Sequence, residues 1–229
     1  MTIIDNYRRI RDEISEKAQK TGRKPEDIKI ISVSKTFSLH EIQEAIDSGI
    51  NLFGENKIQE AKEKIPNLRG KFQFHMLGHL QTNKAKDAVK LFEMIHSIDK
   101  ADTALKVNNE AFKISKIQRV LIQIKTSDEE TKSGISPDQA VKLAEYVATL
   151  RNLKLEGVMS IGPLTDDKNL TTKSFRETAD TLTKINQSLD LNLNEISMGM
   201  SGDYLIAIEE GATMLRIGTA IFGKRSYNK

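Results

Sequence analysis

An alternation of two hydrophobic periods, repeated from one end of the chain to the other, limits the folds open to it. Ile3, Tyr7, Ile10, Ile14 and Ala18 recur at helical spacing and predict a helix over 3–19. The β-branched run from Ile28 to Val33 predicts a strand. Ser38 and Glu41 then form a capping box, and Gly49 ends the helix they open. Short strands are expected over 50–54, 72–77, 92–98, 117–125, 153–161, 193–198 and 214–217. Between them the pattern predicts helices over 55–64, 81–90, 100–115, from Ser136-Pro137 to about 150, 171–188 and 202–209.

These are about eight β/α units with no linker rich in proline, glycine or serine between them. Strands that alternate with helices imply a parallel sheet. The 229 residues suit a (β/α)8 barrel, a fold of roughly 250 residues. One barrel domain over 1–229 with an extra N-terminal helix is therefore expected, with a doubly wound open sheet as the alternative. Residues 218–229 are too few for a full closing helix, so the helix over 3–19 is expected to cover that gap.

Composition narrows the chemistry. The chain has no cysteine, which excludes disulfides, thiolate metal sites and a cysteine nucleophile. The 35 lysines and arginines are interspersed with 32 aspartates and glutamates, so a mixed solvated surface is expected rather than a nucleic-acid partner. No apolar run is long enough to span a bilayer, and charges interrupt the N-terminus where a signal peptide would be apolar. A cytoplasmic protein, monomeric by expectation, is the reading.

In a barrel the chemistry sits at the C-terminal ends of the strands. The first strand delivers Lys35, the second Gly54-Glu55-Asn56, the seventh Met198-Gly199-Met200-Ser201-Gly202-Asp203 and the eighth Arg216-Ile217-Gly218-Thr219. Loops after strands seven and eight often bind phosphate in this fold. Glycines let main-chain N–H groups approach an anion, and Ser201 and Thr219 add hydroxyl donors. The same residues would also serve two tight turns that merely need glycine and a capping serine. Lys35 ends an apolar strand, where desolvation favours the free amine and an amine can condense with an aldehyde. It could instead reach solvent or pair with Glu55. An amine facing a phosphate cup points to pyridoxal 5′-phosphate, an aldehyde that carries a phosphate.

The motifs VSKT (Val33 to Thr36), FGEN (Phe53 to Asn56), HMLGHLQTNK (His75 to Lys84), KSG (Lys132 to Gly134), SMGMSGDY (Ser197 to Tyr204) and RIGTAIFG (Arg216 to Gly223) extend over nearly the whole chain. Together they resemble the pyridoxal phosphate homeostasis proteins, the YggS/PROSC family. The resemblance implies a fold type III barrel related to the N-terminal domain of alanine racemase, with a Schiff base on Lys35. It also implies that Ser201, Gly218 and Thr219 hold the phosphate, that Arg216 faces the pyridine nitrogen and that Asn56 lies beside the ring. An arginine there would keep the ring nitrogen unprotonated and weaken the cofactor as an electron sink. A salt bridge in the barrel mouth or a phosphate contact are the other readings of Arg216. His79 stands where other members often carry proline and is given no role.

His75 and His79 are four apart but straddle Gly78, so no metal site is expected. Asp128-Glu129-Glu130 and Asp166-Asp167 read as solvated loops, and Lys132 as exposed or anion-attracting. Two functions remain. One is a carrier that holds the cofactor reversibly and buffers it or passes it to apoenzymes. The other is an amino-acid racemase or decarboxylase. A racemase needs acid–base groups on both faces of the substrate, and with about twelve residues after the last strand the carrier, with no catalytic residue, is expected.

Overall fold

The computed structural model describes residues 2–127, 129 and 133–223. Eight parallel strands close into a barrel in chain order: β1 Lys29–Val33, β2 Leu52–Glu55, β3 Gln73–Met76, β4 Met94–Ile98, β5 Gln118–Ile124, β6 Leu153–Ser160, β7 Glu195–Ser197 and β8 Met214–Ile217. Closure comes from β1 against β8, with Ile31 beside Arg216 and Ser32 beside Ile217. The open-sheet alternative is thereby set aside.

The helices are α1 Ile3–Lys20, α2 Leu39–Asp47, α3 Ile58–Lys64, α4 Ala85–Leu91, α5 Ala101–Phe112, α6 Pro137–Ala148, α7 Lys168–Leu189, α8 Tyr204–Glu209 and α9 Thr219–Phe222. Several begin where local chemistry says they should. The Ser38 hydroxyl accepts from the Glu41 N–H, and the Glu41 carboxylate accepts from the Ser38 N–H. Gly49 ends that helix at φ +93°, a left-handed conformation that costs glycine little. Pro137 opens α6.

Several boundaries differ from the sequence pattern for identifiable reasons. Residues 55–57 are strand and turn rather than helix, so Glu55 belongs to β2. A 3-10 turn over Thr82–Lys84 precedes α4. The α7 helix starts earlier than expected because Asp167 caps it, accepting from Asn169 N at 2.8 Å and Leu170 N at 3.4 Å. Asp167 is therefore a cap and not simply a solvated loop residue. Asp128, Glu130 and Lys132 lie outside the described residues.

The barrel has two apolar layers, as both faces of a parallel sheet must be covered. Ile31, Val33, Leu77, Met94, Leu121, Met159 and Met214 fill its interior. The outward strand residues pack under the helices, for example Leu215 and Ile217 of β8 with Ile10 and Ile14 of α1 in one continuous core. The described chain after β8 forms only the four-residue α9. The α1 helix lies over α8 and α9, where a closing helix would pack. There Asn6 Nδ2 donates to Ile221 O at 3.0 Å, Arg23 Nη1 to Ile208 O at 3.1 Å and the Tyr204 hydroxyl to Glu13. The same segment thus closes the core and braces the β7 and β8 loops.

Candidate functional site

Lys35 sits in the turn that follows β1 and is half buried. Its neighbour Thr36 has φ +68°, a conformation that costs a non-glycine residue about 1–3 kcal/mol and persists only where the surroundings enforce it. The α3 helix supplies that enforcement. Glu60 Oε2 accepts from the Thr36 N–H at 3.0 Å, and Lys64 Nζ donates to the Ser34 carbonyl at 3.1 Å. Ser34 Oγ donates to Glu55 Oε1 at 2.7 Å. Lys64 in turn pairs with Glu55 at 3.2 Å and Glu60 at 3.0 Å. Burial pushes the Glu55 carboxyl up, against the pull of Lys64 and Ser34. Burial opposes ionisation of Glu60 too, but the Thr36 N–H and Lys64 together hold it below the usual carboxylate range. Glu55, weighed above as a partner for Lys35, is thus engaged by Lys64 beneath the turn.

Asn56 follows β2 in the next turn. Its main chain passes so close to Gly78 that a Cβ there would lie 2.1 Å from the Asn56 carbonyl oxygen. Gly78 is therefore required for the two loops to meet.

The loops after β7 and β8 are tied to each other. Arg216 N donates to Gly199 O at 2.9 Å, and the Ala220 N–H reaches Ser201 Oγ at 3.4 Å. Asp203 Oδ1 accepts from the Met200 N–H at 2.5 Å. Gly199 has φ +89° and faces Ala207 Cβ, so its turn does need glycine. Gly218 is not crowded, since a Cβ there would meet only Val33 at ordinary contact distance, but its φ of −111° and ψ of −84° lie outside the main regions open to other residues. At Gly202 a Cβ would meet nothing within 4 Å. The tight-turn explanation therefore fails for Gly202.

Arg216 is buried inside the barrel mouth. Its Nη1 donates to Ser197 Oγ at 2.9 Å and its Nη2 to the Ser160 carbonyl at 2.7 Å. Burial pulls the guanidinium down to about 10, with Asp203 opposing, so it remains a cation at neutral pH. Below it, Ser197 Oγ lies 2.9 Å from His96 Nδ1, and His96 Nε2 lies 3.0 Å from His75 Nδ1. His75 is thus joined to His96 and not to His79. His79 Nδ1 instead lies 3.5 Å from Asp99 Oδ2 at the barrel mouth. Among the described residues no three His, Cys, Asp or Glu side chains converge as metal ligands.

Lys35, Asn56, Ser201, Arg216, Gly218 and Thr219 all line one cavity of about 340 Å³. Val33, Leu77, Ile161 and Met200 supply its apolar wall, and Gly202 completes the described lining. Larger grooves of about 870, 600 and 590 Å³ lie elsewhere on the surface, but none contains any of these six residues. The described lining holds an amine, a guanidinium, two hydroxyls and an amide, with no carboxylate. It suits a small anionic ligand with a flat apolar body.

Residues 4–226 match the family model described as alanine racemase, N-terminal domain. The pyridoxal phosphate homeostasis protein of Aquifex aeolicus is 35% identical over 228 residues, covering 99% of this chain and 100% of that one. The chain belongs to the pyridoxal phosphate homeostasis protein family. The solved structure of PipY from Synechococcus elongatus PCC7942 with PLP bound superposes with a TM-score of 0.83 at 33% identity, covering 92% of this chain and all of PipY. Alanine racemase of Clostridium difficile 630 shares the barrel, with a TM-score of 0.78 at 18% identity over 98% of this chain and 58% of its own.

Sequence reasoning missed the two buried networks beneath the cavity. One is the Glu55–Lys64–Glu60 clamp and the other the His75–His96–Ser197 line. A signal for the second was present: His96 and Ser197 are polar residues inside the otherwise apolar strands MIHSI and EIS.

Proposed function

We propose that this chain holds pyridoxal 5′-phosphate in the 340 Å³ cavity at the barrel mouth, and that it stores or delivers the cofactor rather than turning over amino acids. The observation that carries this reading is the convergence of all six residues on one cavity whose described lining has no carboxylate. PipY, with PLP bound, shares the fold at 33% identity.

When bound, the cofactor supplies an aldehyde that condenses reversibly with a primary amine. Lys35 supplies that amine, at the end of β1 and on a turn held by Glu60 and Lys64. Ser201 and Thr219 donate their hydroxyls to the phosphate. Gly218 is bare at a position where packing does not demand glycine, which lets its main chain approach the anion. Asn56 would lie beside the ring, and Val33, Leu77, Ile161 and Met200, which line the cavity, would offer it apolar contact. Arg216, a cation at neutral pH, would face the ring nitrogen and favour its unprotonated form.

Arg216 also bears on the choice between carrier and enzyme. A ring held unprotonated takes up less negative charge from a substrate. Lys35 and Arg216 are the only titratable groups among the described lining residues, whereas a racemase needs an acid–base group on each side of the substrate carbon. Apoenzymes that need the cofactor are the partners this reading implies.

Two assays on the loaded protein decide between the functions. Mixed with a cofactor-free enzyme that needs pyridoxal 5′-phosphate, it should restore that enzyme's activity. Incubated with L-alanine in D₂O, it should leave the Cα proton in place by NMR. Rapid Cα exchange or D-alanine formation, abolished by Lys35→Ala, would replace the carrier with a small enzyme.

A further inference from the structure

A line of polar side chains runs down the barrel interior from the cavity. Arg216 of β8, Ser197 of β7, His96 of β4 and His75 of β3 are joined in that order by contacts of 2.9, 2.9 and 3.0 Å. Of the four, only Arg216 lines the cavity. The line ends at His75 Nε2, buried and with no hydrogen-bond partner among the described residues. Around it the interior is aliphatic, with Ile31, Val33, Leu77, Met94, Leu121, Met159 and Met214. Buried polar groups are costly, and apolar residues of similar volume often serve stability as well or better. The exception calls for a functional reason.

Donor and acceptor rules favour one direction for the line. A guanidinium only donates, so Ser197 Oγ accepts from Arg216 Nη1. The hydroxyl proton of Ser197 then points to its other neighbour, His96 Nδ1, which must present a lone pair. A neutral His96 therefore carries its proton on Nε2 and donates to His75 Nδ1. His75 in turn carries its proton on Nε2. The opposite direction would have Ser197 accept twice and strand its hydroxyl proton within the line, whereas this direction leaves its one unpartnered proton at the end, on His75 Nε2. Both rings are neutral at physiological pH. Burial, then the charges of Arg119 and Lys29, hold His75 down to about 3, with Glu156 opposing. Burial, His75 and Arg216 keep His96 well below its ordinary value.

Neutrality is the useful property. A carboxylate under Arg216 would fix the guanidinium but also cancel much of its charge. A neutral acceptor fixes its direction and adds no countercharge beneath it, so that Asp203 is the acid whose field reaches Arg216.

We propose that His96, held by His75 and acting through Ser197, is a positioning residue that aims the charge of Arg216 at the ring nitrogen of the bound cofactor. The proposal rests on the cofactor reading of the cavity. Its test compares pyridoxal 5′-phosphate with the carbocyclic analogue in which C–H replaces the ring nitrogen. The wild-type protein should prefer pyridoxal 5′-phosphate by about three- to tenfold, the worth of one net hydrogen bond. His96→Leu should lose that preference while binding the analogue as before. His96→Gln, able to accept from Ser197 and donate to His75, should recover part of it. Equal weakening of both ligands by His96→Leu, or no change in either, would overturn the proposal. Failure of the wild-type protein to bind either ligand would instead defeat the cofactor reading. The ring tautomers, read by ¹⁵N NMR in the ligand-free wild-type protein, need no variant. Both histidines should be neutral with the proton on Nε2, and a proton on Nδ1 of His96 would refute the directed line.

Discussion

Mild acid should destabilise this barrel through His75 and His96. Unfolded, each imidazole titrates near about 6.5. Folded, His75 is held down to about 3 and His96 well below its ordinary value, in each case chiefly by burial. A group whose folded value lies below its unfolded value leaves the unfolded state binding more protons between the two. Stability is therefore intact above about pH 6.5 and falls as the pH drops towards the folded value. At about pH 5 the proton that His75 takes up on unfolding is worth about 2 kcal/mol, and His96 acts in the same direction. That is a large share of the about 5–15 kcal/mol that holds an ordinary domain together. Other groups also titrate in this range, so the informative quantity is a difference. Urea unfolding at about pH 7.5 and about pH 5 should be compared between the wild-type protein and the His75→Gln/His96→Gln double variant. The acid-induced loss should be smaller in the double variant by at least about 2 kcal/mol, the share of His75. Equal losses would show that these rings do not stay neutral in the folded protein.

Two further outcomes follow from the site. Ser201→Ala with Thr219→Ala should weaken pyridoxal 5′-phosphate binding, each hydroxyl contributing about 1.5–3 kcal/mol to a charged acceptor, and leave pyridoxal binding nearly unchanged in a parallel titration; equal losses would remove the phosphate cup. Lys64→Met should leave Glu55 buried without its cation and cost about 3–5 kcal/mol in urea unfolding, and it should slow attachment at Lys35 in stopped-flow absorbance, because the Ser34 carbonyl loses its donor; unchanged attachment would show that the clamp does not shape the turn.

What could be read from the sequence depended on how local the signal was. The β/α alternation is a matter of neighbouring residues, so all eight strands were legible, and with them the barrel and the covering role of α1. Lys35, Asn56, Ser201, Arg216, Gly218 and Thr219 lie at or just beyond strand ends, and parallel closure alone brings such positions to one mouth. The α7 start was misplaced because Asp167 was read by its charge and not as a cap. Lys64 looked like the end of a polar helix, since nothing nearby shows that its amine reaches the Ser34 carbonyl 30 residues away. His96 was harder still. Every residue of MIHSI is buried, so burial does not reveal which side chains face inward, and its contact with Ser197 spans 101 residues. Such pairings exist only once the barrel has closed.

The central claim is that Lys35 is the amine that holds the cofactor, and chemical trapping tests it most directly. The protein loaded with pyridoxal 5′-phosphate is reduced with borohydride, digested, and its peptides mapped by mass. The account predicts the phosphopyridoxyl mass on the peptide containing Lys35, with no such label in Lys35→Ala. Reproducible labelling of another lysine in the wild-type protein, such as Lys84 or Lys132, would contradict it.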